Sequence, residues 1–310
     1  MRHRLVLLAI AVALAPFAIP SQFLVNLAML TAFSALLGQS WNIAGGFGGL
    51  TSFGHAVFFG IGAYTAAILQ TRFGLNPWIA LPVSVALGAA AGAVIGTAAF
   101  RAGLRGSYFA LVTLAVAEAF RILANSLDIT KGGLGILIPL HPSFGSFQFL
   151  DRRAMYAVVL ILLASAIALA GWLRRSRFGA RLIAVRENED AAAALGVNLL
   201  RTKVAALALS GAVAAPAGVV YAQSYLYVDP SIAFGVERSV EMLLVAMIGG
   251  AGTVWGPVLG AVVLHAIDDT TRGIVNTPGI APMLYGVVLL AIIAFLPNGI
   301  AGLGERLRRA

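Results

Sequence analysis

The chain has 310 residues, of which 60% are hydrophobic and only 11% are charged, and its formal net charge is +9. Because a soluble domain typically carries about 25% charged residues, this composition excludes a water-soluble globular protein. The chain has no cysteine, which excludes disulfide bonds, thiol catalysis and cysteine–metal centres. Its four histidines lack metal-ligand spacing, and its basic residues lie between apolar segments. We therefore expect no metal, no cofactor and no nucleic-acid partner.

Apolar segments separated by glycine, proline and charged residues recur along the chain, and most are close to the length that crosses a ~30 Å hydrocarbon core. They predict an all-α, polytopic transmembrane helical bundle that forms a single domain, residues 1–310, surrounded by membrane lipid. Span 8 is short enough to be re-entrant, so eight to ten spans fit the sequence. The ten predicted spans are about 5–20, 23–44, 52–70, 77–100, 106–126, 154–173, 204–227, 238–249, 254–272 and 281–298.

The Lys and Arg residues predict the orientation of the chain. Most of the 21 fall in segments that share one side if the N-terminus is cytoplasmic, as the positive-inside rule requires. Ten spans then place both termini and the charged loop 174–203 in the cytoplasm, and the polar loop 127–153 in the periplasm. The first apolar run has a second interpretation, a cleaved signal peptide, although it is longer than a usual signal-peptide core.

Two glycine-rich segments, 45–49 after span 2 and 249–252 after span 8, interrupt apolar runs. Glycine lets a chain leave helical geometry at little cost. In a membrane such a break is tolerated only where protein or a water-lined cavity surrounds it, and paired breaks in separated halves indicate a translocation site. The alternative interpretation is an ordinary turn between two spans.

Polar residues follow the first of these segments directly. Thr51, Ser52 and His55 could line a polar cavity together with Gly48 and Gly49. We therefore predict that these five residues lie near a substrate pathway. The alternative for Thr51 or Ser52 is a capping role at the start of span 3.

Glycines at four-residue spacing indicate helix packing. Small residues at positions i, i+4 and i+8 let helix backbones approach closely in lipid. The predicted packing positions are Gly88, Gly92 and Gly96 in span 4, and Gly252, Gly256 and Gly260 around span 9.

Two charged residues lie at membrane depth in span 5. Glu118 and Arg121 are three residues apart and therefore share a helix face. An intramembrane charged residue indicates a functional site by default, which makes Glu118 a candidate pathway residue. The alternative is a structural ion pair near the outer end of the helix.

The loop 174–203 contains two predicted short helices. Phe178, Leu182 and Val185 repeat at helical spacing, and Asn188 is a suitable N-cap for a second helix that ends at Gly196. Such a loop forms a docking surface for a protein partner, or alternatively lies on anionic lipid headgroups. The candidate docking residues are Arg186, Glu187, Asn188, Glu189, Asp190 and Gly196.

The sequence contains no G-x-x-x-x-G-K-[ST] motif, so any ATP hydrolysis would belong to another polypeptide. A secondary carrier coupled to protons or sodium would need intramembrane carboxylates, and only Glu118 is a plausible candidate. A membrane enzyme would need paired carboxylates or metal-spaced histidines, which the sequence does not show.

Four stretches, distributed along nearly the whole chain, resemble the branched-chain amino acid ABC transporter permeases, M-type subunit. They are Trp41–Tyr64, Leu104–Leu114 continuing to Glu118 and Arg121, Gly179–Gly196, and Ile248–Gly260. The third stretch matches the ATPase-coupling loop of that family.

The resemblance implies a transport subunit of the bacterial inner membrane, without enzymatic activity of its own. It also implies a heterodimer with a homologous second permease, two cytoplasmic ATPases and a periplasmic solute-binding protein. Branched-chain amino acids are the expected solutes. Lys131 interrupts a Thr-Gly-Gly-x-x-Gly run that the family often has, so permeases for urea, amides, or small aromatic or short-chain carboxylic acids remain alternatives.

Overall fold

The structure is a computed structural model that describes residues 16–17, 21–274, 286–287 and 299–302. Within this part of the chain the fold is almost entirely helical. The helices are α1 (Gln22–Trp41), α2 (Ala56–Phe73), α3 (Pro77–Arg101), α4 (Gly106–Ser126), α5 (Arg152–Leu173), α6 (Arg177–Glu187), α7 (Glu189–Ala194), α8 (Leu199–Tyr225), α9 (Pro230–Phe234), α10 (Val236–Gly249) and α11 (Gly256–Ile274). Two short strands, β1 (Ile136–Leu137) and β2 (Tyr227–Val228), pair antiparallel.

Helices occupy predicted spans 2 to 9, with ends that shift by a few residues. Spans 1 and 10, and with them the signal-peptide alternative, lie almost entirely outside the described residues. Five described helices are long and apolar enough to cross a membrane: Gln22–Phe47, Pro77–Arg101, Gly106–Ser126, Arg152–Leu173 and Leu199–Tyr225. The chain is thus an all-α protein with several candidate membrane spans.

The segment predicted as span 8 is the helix α10, and a separate short helix, α9, precedes it. Asp229 caps the five-residue helix α9 by accepting hydrogen bonds from the backbone N–H groups of Ser231 and Ile232. The extended backbone of Gly235 then separates α9 from α10. Because α10 has 14 residues, it is about 21 Å long at 1.5 Å per residue, shorter than the hydrocarbon core.

The first glycine-rich segment begins inside a helix. After Trp41, α1 continues as a wider π-helical turn, Asn42–Phe47. This turn includes Gly45 and Gly46, and the chain leaves helical geometry at Gly49, whose φ is +66°. Turns of this type are frequently found at functional sites.

Contacts between helix ends define two ends of the bundle. At one end, called here the loop end, Arg186 of α6 reaches Gly46. Also at the loop end, Glu189 of α7 forms ion pairs with Arg105 and Lys203. At the other end, the hairpin end, β1 and β2 join the segment after α4 to the segment after α8.

Close backbone contacts place α8 at the centre of the fold. A methyl group added at Gly88 of α3 would lie 2.4 Å from the carbonyl oxygen of Gly211, and one at Gly211 would lie 2.3 Å from that of Gly88. On α2, a methyl group at Gly62 would lie 1.8 Å from the carbonyl oxygen of Ala215. Helices can approach this closely only where side chains are absent, so these glycines fix α8 between α2 and α3.

Candidate functional site

Asn42 joins the two glycine-rich segments at the loop end. Its side-chain oxygen accepts a hydrogen bond of 2.7 Å from the backbone N–H of Gly252, and its Nδ2 donates one of 2.9 Å to the carbonyl oxygen of Thr253. Asn42 is fully buried. A buried amide held at both ends fixes the relative position of the segments, because breaking either bond would leave a polar group unsatisfied.

Arg186 connects the same place to α6. Its Nη1 donates a 2.9 Å hydrogen bond to the carbonyl oxygen of Gly46, while its Nε and Nη2 donate to Oε1 of Glu187 at 3.0 and 2.5 Å. Gly49 and Gly252 lie directly beside this side chain. We call the set formed by Asn42, Gly46, Gly49, Arg186 and Gly252 the glycine junction.

Residues 50–55 form an ordered turn that leads into α2. The indole N–H of Trp41 donates to the carbonyl oxygen of Ser52 at 2.9 Å, and the hydroxyl of Ser52 accepts from the N–H of Gly54. Thr51 is exposed, whereas Ser52 is buried. Neither caps α2, because the N-cap position is His55 and no side-chain cap bond forms there; the N–H of Ala56 is bound by the hydroxyl of Ser239 at 2.9 Å. The capping alternative for Thr51 and Ser52 is therefore wrong.

His55 is buried behind this turn and joins two helices. Its Nε2 lies 2.7 Å from the hydroxyl of Ser210, which itself donates to the carbonyl oxygen of Ser40 at 2.6 Å. Since the Ser210 hydroxyl has one proton, Nε2 must be the donor and the imidazole carries its proton there. Of the six residues predicted to line a pathway, His55 is therefore hydrogen-bonded inside the bundle, to Ser210, whereas Thr51 is exposed on its surface.

The loop 174–203 folds into a compact platform, which we call the α6–α7 platform. The start of α6 packs closely against the end of α5, since a methyl group added at Gly179 would lie only 1.7 Å from the carbonyl oxygen of Leu173. Asn188 caps α7 by accepting a 2.9 Å hydrogen bond from the N–H of Ala191, as predicted. Gly196, with φ +82°, follows the end of α7, also as predicted.

The predicted docking residues divide into two groups. Glu189 faces the bundle, where it pairs with Arg105 at 3.0 Å and with the buried Lys203. Arg186 reaches inward to Gly46 with one nitrogen, although its side chain is 35% exposed. The outer surface of the platform carries Glu187, Gly196, Leu195, which is 85% exposed, and Asp190, which is also exposed although it pairs with Arg105 at 3.5 Å. The sequence analysis did not single out Leu195, although a large apolar residue after an alanine-rich helix is a signal for a contact surface.

The predicted packing glycines also divide. Gly88, Gly92 and Gly96 are buried on the face of α3 that contacts α8. A methyl group at Gly260 would lie 1.9 Å from the carbonyl oxygen of Val245, and Gly256 begins α11. Gly252 differs from the prediction, because it lies in the turn before α11 with φ +78° and belongs to the glycine junction.

Glu118 and Arg121 form a two-point ion pair on α4. Arg121 Nε and Nη2 donate to the two carboxylate oxygens of Glu118 at 2.9 and 2.5 Å. The side chains are 42% and 33% exposed. The face of α4 that contacts the bundle carries Phe109, Thr113 and Ala117. Arg121, four residues after Ala117, lies at the edge of this face, and Glu118 lies beyond it.

A polar chain that the sequence analysis missed connects three helices. Arg238 Nη1 donates to Glu241 at 2.9 Å, the hydroxyl of Ser34 donates to the same carboxylate at 2.7 Å, and His265 Nε2 lies 3.0 Å from that hydroxyl. The guanidinium of Arg238 also lies over the ring of Phe59. The two charged side chains are about three-quarters buried, 25% and 24% exposed, and charges removed from water need such partners. Among the described residues, no group of three His, Asp or Glu residues could hold a metal ion.

The comparisons with known proteins agree on one family. Residues 23–295 match the family model described as the permease component of branched-chain amino acid transport systems. The chain is 32% identical to the high-affinity branched-chain amino acid transport system permease protein LivM of Escherichia coli (strain K12), over 95% of this chain and 73% of that protein. It is 22% identical to the permease protein LivH of Salmonella typhimurium, over 87% of this chain and 92% of that protein.

No solved structure matches this chain. The family match covers most of the sequence, and the identity to LivM exceeds 30% over nearly the whole of this chain. The chain therefore belongs to the family of permease components of branched-chain amino acid transport systems.

Proposed function

We propose that this chain is the membrane-embedded permease subunit of an ATP-binding cassette importer for branched-chain or related amino acids. Family membership supports the transport function. The α6–α7 platform is the observation that supports an ATP-driven mechanism. Leu195 and Asp190 are exposed on its outer surface, while Glu189 and Gly179 contact the bundle. A rigid projecting surface of this kind suits docking of an ATPase, since the chain itself has no phosphate-binding loop.

The proposed assembly contains a second, homologous permease. LivM and LivH are separate proteins in Salmonella typhimurium, and this chain is similar to both. Two ATPases on the cytoplasmic side and a periplasmic solute-binding protein complete the assembly. In this arrangement the loop end of the bundle, with both glycine-rich segments, is cytoplasmic, and the hairpin end faces the periplasm of a bacterial inner membrane.

Uptake measurements test this proposal. In cells that produce the chain with its partner subunits, uptake of labelled leucine should collapse when ATP is depleted while the proton gradient is held. Dissipating the gradient while ATP is held should leave uptake intact. The reverse pattern would indicate a secondary ion-coupled carrier. Competition by unlabelled valine, urea, amides or aromatic acids then identifies the solute class.

We further propose that the turn after the first glycine-rich segment borders the translocation pathway. Its supporting observation is the contrast between the exposed Thr51 and the hydrogen-bonded, buried Ser52 beside it. Gly48, Gly49 and His55 are the other pathway candidates in this segment, and Glu118 is a separate candidate on α4.

Single cysteines test the position of this turn, because the chain contains no cysteine of its own. In the purified complex, Thr51→Cys should react with a small water-soluble thiol reagent about tenfold faster than Ser52→Cys, since thiol reactivity follows exposure. A pathway position also predicts that the Thr51→Cys rate changes when a non-hydrolysable ATP analogue is added. Equal rates for the two variants, or a Thr51→Cys rate that is the same in every nucleotide state, would contradict it.

A further inference from the structure

We infer that Arg186 is a positioning residue that transmits movement of the α6–α7 platform to both glycine-rich segments. This inference rests on the proposed function and assigns Arg186 a role different from docking. Arg186 lies four residues after the buried Leu182 on α6, at the edge of the face turned toward the bundle, so its partly exposed side chain can reach inward. Its Nη1 ends on the carbonyl oxygen of Gly46, in the π-helical turn that closes α1.

The backbone of both segments lies against one side of the Arg186 side chain, which is 35% exposed on the other. A methyl group at Gly49 would lie 2.6 Å from Cγ of Arg186, and one at Gly252 would lie 2.8 Å from its Nη1. Both glycines have positive φ, +66° and +78°, so the backbone makes room for the side chain in a conformation that other residues rarely adopt. A shift of Arg186 toward the bundle would therefore displace Gly49, Gly252 or the carbonyl group of Gly46.

The other side of the guanidinium faces the surface of the platform. Its Nε and Nη2 are bound by Glu187, whose side chain is 66% exposed. The planar guanidinium thus holds a surface carboxylate and an interior carbonyl oxygen at the same time. Lysine could not hold both in this geometry, because its ammonium is a point charge without a fixed fork of donors.

Asn42 extends this connection across the junction. It bonds Gly252 and Thr253 from the same π-helical turn that supplies Gly46. A force on α6 therefore reaches α1 through Gly46, and reaches the turn before α11 through Gly252. Contiguous contacts of this kind are the physical route by which two distant sites become coupled.

The experiment compares four variants in the full complex with its ATPases: Arg186→Ala, Arg186→Lys, Gly196→Val and Arg181→Ala. The measurements are folded permease yield, ATPase co-purified per permease, ATP hydrolysis with and without loaded binding protein, and solute uptake. For Arg186→Ala, yield and co-purified ATPase should stay at the level of the unmodified complex. Stimulation of hydrolysis by the binding protein, and uptake, should fall about tenfold, a typical size for coupling between sites. Arg186→Lys should show the same loss to a smaller degree.

The other two variants separate this inference from the proposed function. Gly196→Val should lower the co-purified ATPase, because Gly196 has φ +82° and open space around it, so only the backbone at the outer surface is disturbed. Unchanged ATPase content in Gly196→Val would count against the docking surface. Arg181→Ala, on the exposed side of α6, controls for loss of a positive charge and should retain the stimulation. Normal stimulation and uptake in the Arg186→Ala variant would overturn the inference. It would also be overturned if the Arg186→Ala and Arg186→Lys variants lost co-purified ATPase, or folded permease, to the same extent.

Discussion

Alanine at Gly88 or Gly92 should leave little folded protein in the membrane. A methyl group at Gly88 would lie 2.4 Å from the carbonyl oxygen of Gly211, and one at Gly92 would lie 2.4 Å from that of Leu207. The atoms in the way belong to the backbone of α8 and cannot rotate aside. Overpacking of this kind typically costs about 1–3 kcal/mol, so folded yield should fall about tenfold or more.

Gly96 provides the matched control on the same helix face. The nearest atoms to a methyl group there lie at 3.4 Å, on the side chains of Leu207 and Phe100 and at Cα of Val204. Gly96→Ala should therefore keep a yield and melting temperature close to those of the unmodified chain. Both properties can be measured by size-exclusion chromatography of the detergent-solubilised protein after graded heating. Equal behaviour of the Gly88→Ala and Gly96→Ala variants would show that α3 does not contact α8 as closely as described.

The contrast among these glycines shows what spacing alone can predict. The four-residue repeat of Gly88, Gly92 and Gly96 correctly placed all three on one packed face of α3. Spacing could not rank them, because the rank depends on the distance to α8 at each level. The same pattern placed Gly252 with Gly256 and Gly260, although the helix begins only at Gly256.

Local signals predicted local structure well. Asn188 was predicted to cap α7 and Gly196 to follow its end, and the structure confirms both because capping depends on residues within one turn. By contrast, the hydroxyl that binds the first N–H of α2 comes from Ser239, 183 positions along the chain. No local pattern identifies such a partner, so Thr51 and Ser52 remained candidates until the fold was known.

Long-range polar contacts were the main features that the sequence did not predict. Arg186 was assigned to the outer surface because it lies in a charged loop, yet its guanidinium donates to Gly46, 140 positions earlier. The chain from Arg238 through Glu241 and Ser34 to His265 was missed for a similar reason. Arg238 and Glu241 are three residues apart on α10, but Ser34 and His265 lie in other apolar segments, and only the packing of α1, α10 and α11 brings all four together.

The described residues leave the Glu118–Arg121 ion pair of α4 partly uncovered. Glu118 and Arg121 lie on an apolar helix, Arg121 at the edge of the face that contacts the described bundle and Glu118 beyond it, and their side chains remain partly exposed. Charged groups at membrane depth usually face protein or water rather than lipid. We therefore propose that this face of α4 meets the second permease subunit, with Glu118 and Arg121 acting as a structural pair at that contact.

A double-mutant comparison tests this role. Glu118→Gln removes the partner of Arg121 and leaves an uncompensated positive charge at the subunit contact, so the yield of assembled heterodimer should fall severalfold. Glu118→Gln combined with Arg121→Gln removes both charges and should recover part of that yield. Glu237→Gln, which changes an exposed glutamate at the start of α10, is the matched control and should assemble normally. A pathway role for Glu118 predicts a different result: normal heterodimer yield in Glu118→Gln with lost uptake or altered solute preference, and no recovery of uptake in the double variant.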